Sequence, residues 1–511
     1  MVAARQEDLS TPQCGPARSV HGRRLLLNDN DTTLVDRIDD AVGNSLEAAV
    51  RRHHRKRLRR LGHEALETEQ TPDRWVPVPR PPRADNSVEV LIDGQSAFGA
   101  MADAMQAAKS HIHIAGWHLT PALRLRREDG SPTLSGLLRE LSENVQVRVL
   151  LWAGPPLPMF QPTRRMMKSV QGELTRNSKV RCMLDGRERT LHCHHEKIVL
   201  IDDEVAFVGG IDLSDLAGDR WDENSHPPRG STGWHDVATL LRGPVVTDVA
   251  EHFRNRWQEV AAEQLPAPIP QPAAGGVTVQ LLRTVPEKTY EFLPRGEFSI
   301  LDAYLRALKS ARHFIYLENQ FLWSAEIGAV LADKLRHPPT DDFRLLLVLP
   351  ARPSNGKDTT RGQLGALLSA DDGAGRLLAT TINAHSRDRT DSLYVHAKVG
   401  IIDDNWLTIG SANLNEHSLF NDTEVNVATQ DSELARNTRL RLWAEHLERP
   451  IAEIDGPVAE VLDRIWKPTA AEQLARSRTN QPPTHRLTEL PGISRRSERL
   501  LGPSRGLLVD G

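Results

Sequence analysis

Cysteine is scarce in this chain: Cys14, Cys182 and Cys193 are the only three in 511 residues. They are too few and too scattered for a disulfide framework or a thiolate zinc site, so free thiols are expected. Long apolar runs are missing as well. No window reaches the roughly 20 consecutive apolar residues needed to cross a bilayer, and the first thirty residues hold no run suited to a signal peptide. A cytoplasmic protein is expected. A surplus of either charge is also absent, because 64 basic residues against 68 acidic ones leave a net charge of −4. The molecule as a whole therefore has no nonspecific pull toward nucleic acid or anionic lipid, and local patches must supply any.

What is present is a globular composition, with 39% hydrophobic and 26% charged residues, in a chain long enough for at least two modules. Residues 1–84 read as an extension that is polar at first, then helical over LEAAVRRHHRKRLRRLGHEALETE, then proline-rich. The basic run from Arg51 to Arg60 is either a solvated helix face or a peripheral contact with anionic headgroups, each cation contributing on the order of 1 kcal/mol near such a surface. From Ser87 strands and helices alternate, as in VEVLIDG, AFGAMADAMQAAKS, HIHIAGW, LSGLLRELSE and VQVRVLLWAG. The same order restarts at Val277 with VTVQLLRT and SILDAYLRALKS. This pattern predicts α/β units around largely parallel sheets. Lys109-Ser110 recurs as Lys309-Ser310, 200 residues on, and His195 has a counterpart 201 residues on in His396. Such a constant offset is the mark of an internal duplication. The expected organisation is a first half over residues 85–265, a Pro/Gly linker at 266–276, a second half at 277–450 and a tail at 451–511.

The duplicated element is HEKIVLID from His195 and HAKVGIID from His396. Side chains on a strand alternate faces, so each histidine and the lysine two residues on, Lys197 or Lys398, point the same way. Asp202 and Asp403 complete the motif among the candidate catalytic positions. They lie seven residues after their histidines, an odd number, which on a regular strand turns them away from the imidazole and toward bracing the turns at IDDE and IDDN. AFVGG and LTIGS follow, each ending in small residues that allow close approach. Ser411 belongs to that end, and Asp212 and Asn413 hold equivalent places just beyond it. A neutral imidazole beside an ammonium suits attack on an anionic phosphorus, since lysine offsets the repulsion and stabilises the added charge of the transition state. One imidazole can become a phosphohistidine while a second, protonated, gives its proton to the leaving oxygen. With two lysines and an asparagine to hold phosphoryl oxygens, neither a metal nor any other cofactor is required. LHCHH, residues 191–195, could be read as a transition-metal site, but the matching LYVHA has one histidine and no cysteine.

The doubled H-x-K-x-x-x-x-D followed by G-G or G-S resembles the phospholipase D superfamily. The strings GGIDLSD, GWHDVATLLRGPVVTDV, YLENQF, YVHAKVGIIDD, GSANLNEHSL and LRLWAEHL are most similar to the eukaryotic-type and related bacterial phospholipases D. The resemblance covers roughly residues 86–450. It implies two similar α/β halves with one active site at their interface. It also implies His195 as nucleophile, His396 as general acid and later base, and Lys197, Lys398 and Asn413 as phosphate holders. Glu424 matches the acid that orients a catalytic histidine. Asp222 is the first-half candidate for the same orienting role by its offset from the small-residue turn, standing 13 residues after Gly209 where Glu424 stands 14 after Gly410. Ser411 and Asp212 join the substrate-binding candidates, and Trp117, Trp221, Trp234 and Tyr316 are aromatics that line either the cleft or the core. The implied activity is hydrolysis or transphosphatidylation of a glycerophospholipid headgroup ester by a monomer. Alternatives within the superfamily are a cardiolipin synthase-like phosphatidyltransferase and a nuclease, the latter disfavoured because neither half is visibly basic. A non-catalytic lipid-binding scaffold is the alternative of another class. Headgroup choice is expected to lie in loops such as residues 352–392, where no code is readable.

Overall fold

The structure is a computed structural model that describes residues 34–63, 74–156, 161–188, 192–216, 218–351, 357–386 and 390–490. The parts of the extension, the 352–392 loop and the tail that fall elsewhere, together with Cys14, lie outside the described residues.

The first half runs β1 (Arg83–Ile92), α2 (Asp93–Gln106), β2 (His111–Gly116), α3 (Leu134–Leu141), β3 (Gln146–Trp152), α4 (Arg164–Thr175), β4 (Arg181–Asp185), β5 (Ile198–Ile201), β6 (Val205–Gly209), β7 (Gly233–His235), β8 (Val237–Arg242) and α5 (Val245–Ala261); α1 (Leu34–Leu61) precedes it. The second half runs β9 (Val277–Val285), β10 (Glu297–Phe298), α6 (Ser299–Ser310), β11 (Phe314–Asn319), α7 (Ala325–Arg336), β12 (Arg344–Val348), α8 (Lys357–Asp371), β13 (Leu377–His385), β14 (Thr390–Val395), β15 (Lys398–Ile402), β16 (Trp406–Gly410), α9 (Glu416–Phe420), β17 (Glu424–Thr429) and α10 (Ser432–Leu447).

Hydrogen-bond registers reveal the duplication directly. The first sheet is ordered β1-β8-β6-β5-β2-β3-β4. The second is ordered β9-β17-β16-β15-β11-β12-β13. The α/β class holds, but the largely parallel order expected for it does not. In each sheet only the β2-β3-β4 or β11-β12-β13 pairings are parallel, and the other four are antiparallel. One of the four antiparallel pairings in each sheet has a local cause. Asp202-Asp203 and Asp403-Asp404 all have positive φ, the conformation of tight hairpin turns, which set β5 antiparallel to β6 across residues 202–204 and β15 antiparallel to β16 across residues 403–405.

The two sheets are joined through β1 and β9, and their cores interlock. Phe253 and Trp257 of α5 share an apolar cluster with Val279, Leu281, Val425 and Val427 of the second half. Leu442 and Trp443 of α10 share one with Val90, Ile92 and Val237 of the first. Burial of side chains this size contributes about 1.5–3 kcal/mol each, so the halves form one folding unit at their seam. The tail segment 451–490 is part of that body. Ile454, Leu462 and Trp466 are buried in the α10 cluster, and Leu487–Glu489 pairs with β13.

The basic helix begins earlier than its charge run suggests, at Leu34, and stops before Gly62, whose φ of 81° ends it. One face docks on the second half. His54 lies 2.9 Å from Glu326 and 3.0 Å from Glu416 and stacks on Phe420, while Arg57 pairs with Glu287 at 2.7 Å and donates to the Phe420 carbonyl. Arg52, Lys56, Arg59 and Arg60 remain on the exposed face. Cys182 and Cys193 are buried without a disulfide. Among the described residues no helix is long and apolar enough to cross a membrane.

Candidate active site

Both motif strands end at the seam. The rings of His195 and His396 face each other with centroids 6.4 Å apart at 71°. This spacing leaves room for one phosphoryl group within about 3–3.5 Å of each reactive nitrogen. The residues leading into each histidine are held by the opposite half. The His195 amide donates to the Thr423 carbonyl and the His396 amide to that of His235, at 2.9 and 2.8 Å, and β14 runs parallel to β7.

The orienting acids cross over in the same way. His195 Nδ1 lies 3.0 Å from Glu424 Oε1 of the second half, and His396 Nδ1 lies 2.6 Å from Asp236 Oδ2 of the first. With Nδ1 of each ring committed to a carboxylate, Nε2 is the nitrogen left to react. Asp236, not Asp222, is therefore the first-half acid. Asp222 instead bonds Arg229 at 2.5 Å and lies 3.1 Å from His226 Nδ1. Counting from Gly209 misleads because the first half carries a long insertion between β6 and β8. Register corrects the count: Gly209 pairs with Ala238 and Gly410 with Asn426, which puts Asp236 and Glu424 each two residues before its partner. The acid-valine step shared by Asp236-Val237 and Glu424-Val425 was the available signal.

Small residues make room for these acids. A Cβ on Gly210 would sit 2.0 Å from Asp236 Oδ1. At the matching place Ser411 donates its hydroxyl to Glu424 Oε2, so Ser411 braces an acid from behind.

Each lysine donates to the carbonyl of its own histidine, Lys197 to His195 at 2.6 Å and Lys398 to His396. Lys197 also lies 3.3 Å from Asp212, and Lys398 donates to Gln320 Oε1 at 3.2 Å. Asn413 is fully buried, and both polar atoms of its amide lack a hydrogen-bond partner among the described residues. A buried amide left open in this way costs free energy that an incoming oxygen ligand would recover. Arg220 is an addition that pattern reading missed, since it lies in the insertion. It bonds Asp212 at 2.8 Å and stacks over Trp234 at 4.0 Å. Trp234 stands 4.6 Å from His396 and Trp117 stands 6.4 Å from His195. Trp221 and Tyr316 lie elsewhere, the first beneath Arg127 and the second in the core against Trp443.

Asp202 and Asp403, the motif aspartates, do not join the site. Asp202 accepts from the amides of Lys109, Ser110 and His111 at 2.7–2.8 Å. Asp403 accepts from those of Arg312, His313 and Phe314 at 2.8 Å. Their expected place among the catalytic residues is corrected accordingly: they pin each hairpin to the start of the neighbouring strand, β2 or β11, which pairs antiparallel with β5 or β15.

Electrostatically the site is crowded with cations. Burial, helped by Lys398, Arg220 and Lys197, holds His396 well below the usual imidazole range. Burial also brings Lys398 down to about 7 against the opposing pull of Asp236. Burial pushes Asp236 up to about 6 even though Lys398 opposes it. Burial would raise Asp212 too, but Lys197 and Arg220 keep it below the ordinary carboxylate value. The imidazole and the Lys398 ammonium are thus both destabilised as cations in the absence of an anion, and a bound phosphodiester would restore their charge.

This arrangement defines a duplicated α/β protein with one histidine pair at the junction of its repeats. The model of the family described as "Phospholipase D" matches residues 104–233 and 228–330, and the model described as "Cardiolipin synthase, PLD-like domain" matches residues 304–444. Phospholipase D A of Dictyostelium discoideum is 27% identical over 72% of this chain and 36% of its own length. Phospholipase D2 of Bos taurus is 24% identical over 76% and 56%, and phospholipase D alpha 3 of Arabidopsis thaliana is 26% identical over 75% and 67%. The crystal structure of phosphatidylserine synthase from Haemophilus influenzae shares the fold, with a TM-score of 0.51 at 12% identity over 77% of this chain and 96% of that one. The chain belongs to the phospholipase D superfamily. It spans between about a third and two thirds of the length of these three curated relatives.

Proposed function

We propose that the protein is a phospholipase D-type phosphodiesterase that cleaves the headgroup ester of glycerophospholipids through a phosphohistidine. The observation that carries this reading is the reciprocal pairing of His195 with Glu424 and His396 with Asp236, with Lys197, Lys398 and Arg220 in electrostatic reach of His396. His195 Nε2 attacks phosphorus, forming the P–N bond as the bond to the headgroup oxygen breaks, and His396 gives its proton to that oxygen. The anionic substrate, once seated against both lysines, is what lets His396 carry that proton. Water then loses a proton to His396 while its oxygen attacks phosphorus, the P–N bond breaks, and phosphatidic acid leaves. An alcohol in place of water gives headgroup exchange, and the cardiolipin synthase-like match over residues 304–444 favours keeping that transfer as a second outcome. Lys197, Lys398 and Arg220 supply positive charge near His396, which supports a reaction without a metal.

The exposed basic face of α1 suits a peripheral contact with an anionic cytoplasmic leaflet, with the protein acting as a monomer. Purified protein should release headgroup from phosphatidylcholine or phosphatidylglycerol vesicles and form phosphatidic acid, while His195→Ala should not. Cleavage of single-stranded DNA with no turnover of either lipid would overturn the proposal.

A further inference from the structure

Behind His396, on the far side of β7, lies a second cluster that the reaction does not use. Asp93 at the start of α2, His226 in the insertion, His235 at the end of β7 and Glu445 on α10 are all buried. Their facing atoms alternate as nitrogen and oxygen, the two histidines sharing one oxygen of Glu445 and meeting the two different oxygens of Asp93. His235 Nδ1 lies 2.9 Å from Asp93 Oδ1 and 3.1 Å from Glu445 Oε1, while His226 Nε2 lies 3.3 Å from Asp93 Oδ2 and 3.0 Å from the same Glu445 Oε1. Ordinary hydrogen bonding fits this poorly. Each of these ring nitrogens carries at most one proton yet faces two carboxylate oxygens, and Asp93 Oδ2 and Glu445 Oε2 have no hydrogen-bond partner among the described residues although both side chains are buried.

We propose that these four residues form a tetrahedral site for a divalent transition metal of the zinc class, which clamps the two halves together directly behind the general acid. A tetrahedron with metal–ligand bonds of about 2.0–2.1 Å has edges of about 3.3–3.4 Å; the two edges that meet at Glu445 Oε1 measure 3.0 and 3.1 Å, each histidine lies 2.9 or 3.3 Å from one oxygen of Asp93, and one ligand atom from each residue lies within 4.8 Å of the others. The surroundings supply an independent sign. A ligating histidine characteristically gives its other ring nitrogen to a carboxylate that fixes tautomer and orientation; His235 does so here, and His226 has a carboxylate beside its other nitrogen. His235 Nε2 lies 2.9 Å from Glu318, which is held in turn by His446 at 2.8 Å. His226 Nδ1 lies 3.1 Å from Asp222, which is held by Arg229. Charge balances as well: two carboxylates and two neutral imidazoles around a dication leave the buried centre neutral. The ligands join the halves, since Asp93, His226 and His235 come from the first and Glu445 from the second. The amide of Asp236 donates to Asp93 Oδ1, so the centre also holds the acid that orients His396. This inference does not depend on the lipid reaction.

Untagged protein purified without chelators should contain about one equivalent of zinc or a similar metal per chain by elemental mass spectrometry. After chelator treatment, added Co²⁺ should give the intense visible absorption of a tetrahedral site. Glu318→Gln, which leaves all four ligands in place, should weaken metal affinity by about 10- to 100-fold. Glu445→Gln should abolish the cobalt spectrum, and His195→Ala should leave metal content unchanged. A folded wild-type protein that binds neither zinc nor Co²⁺ stoichiometrically would overturn the assignment and make the cluster a network of protonated histidines. Loss of the metal in His195→Ala would overturn it too, by moving binding to the phosphate site.

Discussion

The crossed pairing of acids and histidines assigns different chemical steps to two carboxylates, and a substrate with a good leaving group separates them. Asp236→Asn removes a 2.6 Å charge-assisted contact to His396, and Glu424→Gln removes one of 3.0 Å to His195. A hydrogen bond to a charged partner contributes about 1.5–3 kcal/mol, which at 1.36 kcal/mol per decade is about 10- to 150-fold in the affected step. Tautomer reversal adds to this, and the corresponding change in a serine protease triad costs about 10⁴-fold. An amide NH₂ donating to Nδ1 of His195 places the ring proton on Nε2, so the nucleophile is lost. With a p-nitrophenyl phosphatidyl ester the leaving group needs no proton, so His396 is dispensable for the first step but still required as base for the second. Asp236→Asn should therefore give a burst of about one equivalent of nitrophenolate and accumulate a phosphohistidine detectable by mass spectrometry. Glu424→Gln should show neither burst nor adduct. Reversed behaviour would exchange the two roles, and near-normal kcat in both variants would refute the orienting function altogether.

Three further outcomes are expected. Asp202→Ala strips the acceptor from three backbone amides and should lower unfolding free energy by about 2–3 kcal/mol in denaturant titration, yet leave kcat within about threefold, whereas a catalytic Asp202 would lose activity without losing stability. Burial lowers the pKa of His54, but Glu326 and Glu416 outweigh it and hold the group at about 9 against 6.5 when unfolded. It therefore contributes up to about 3 kcal/mol that is fully present below pH 6.5, declines as pH rises, and is gone above pH 9. Limited proteolysis of α1 should accordingly distinguish wild type from His54→Gln strongly at pH 6 and not at pH 10, and equal protection at pH 6 would contradict the pairing. Replacing Arg52, Lys56, Arg59 and Arg60 by Glu should reduce binding to anionic vesicles by two or more orders of magnitude at low salt, at about 1 kcal/mol per cation, and unchanged co-sedimentation would remove the membrane face.

The parts of the site that local pattern dictates are legible in the sequence. His195, Lys197 and their repeats share strand faces because of period-two geometry, and equal spacing exposes the duplication. The turns at IDDE and IDDN are visible too, but the tight hairpins depend on the positive φ of their aspartates, which the residue types permit without requiring. Asp236 escapes the count because a constant offset holds only where intervening loops match, and the insertion between β6 and β8 breaks it. Arg220 and Trp234 give no periodic signal, and only the fold brings them to the histidines. The docking of His54 and Arg57 on Glu326, Glu416 and Glu287 is a contact between residues more than 200 positions apart, which no local pattern specifies.

The exchange of acids between repeats has a further bearing on how the protein comes to life. During synthesis the first repeat emerges holding an imidazole whose carboxylate has not yet been made, and the strand carrying Glu424 is among the last of the second sheet to appear. A ribosome-bound fragment therefore has no competent phosphoryl-transfer centre, however well its first sheet is folded. Severing the chain between residues 262 and 276 would likewise yield two inert pieces, each keeping one half of two broken pairs, and mixing them should regenerate turnover only in proportion to reassociation.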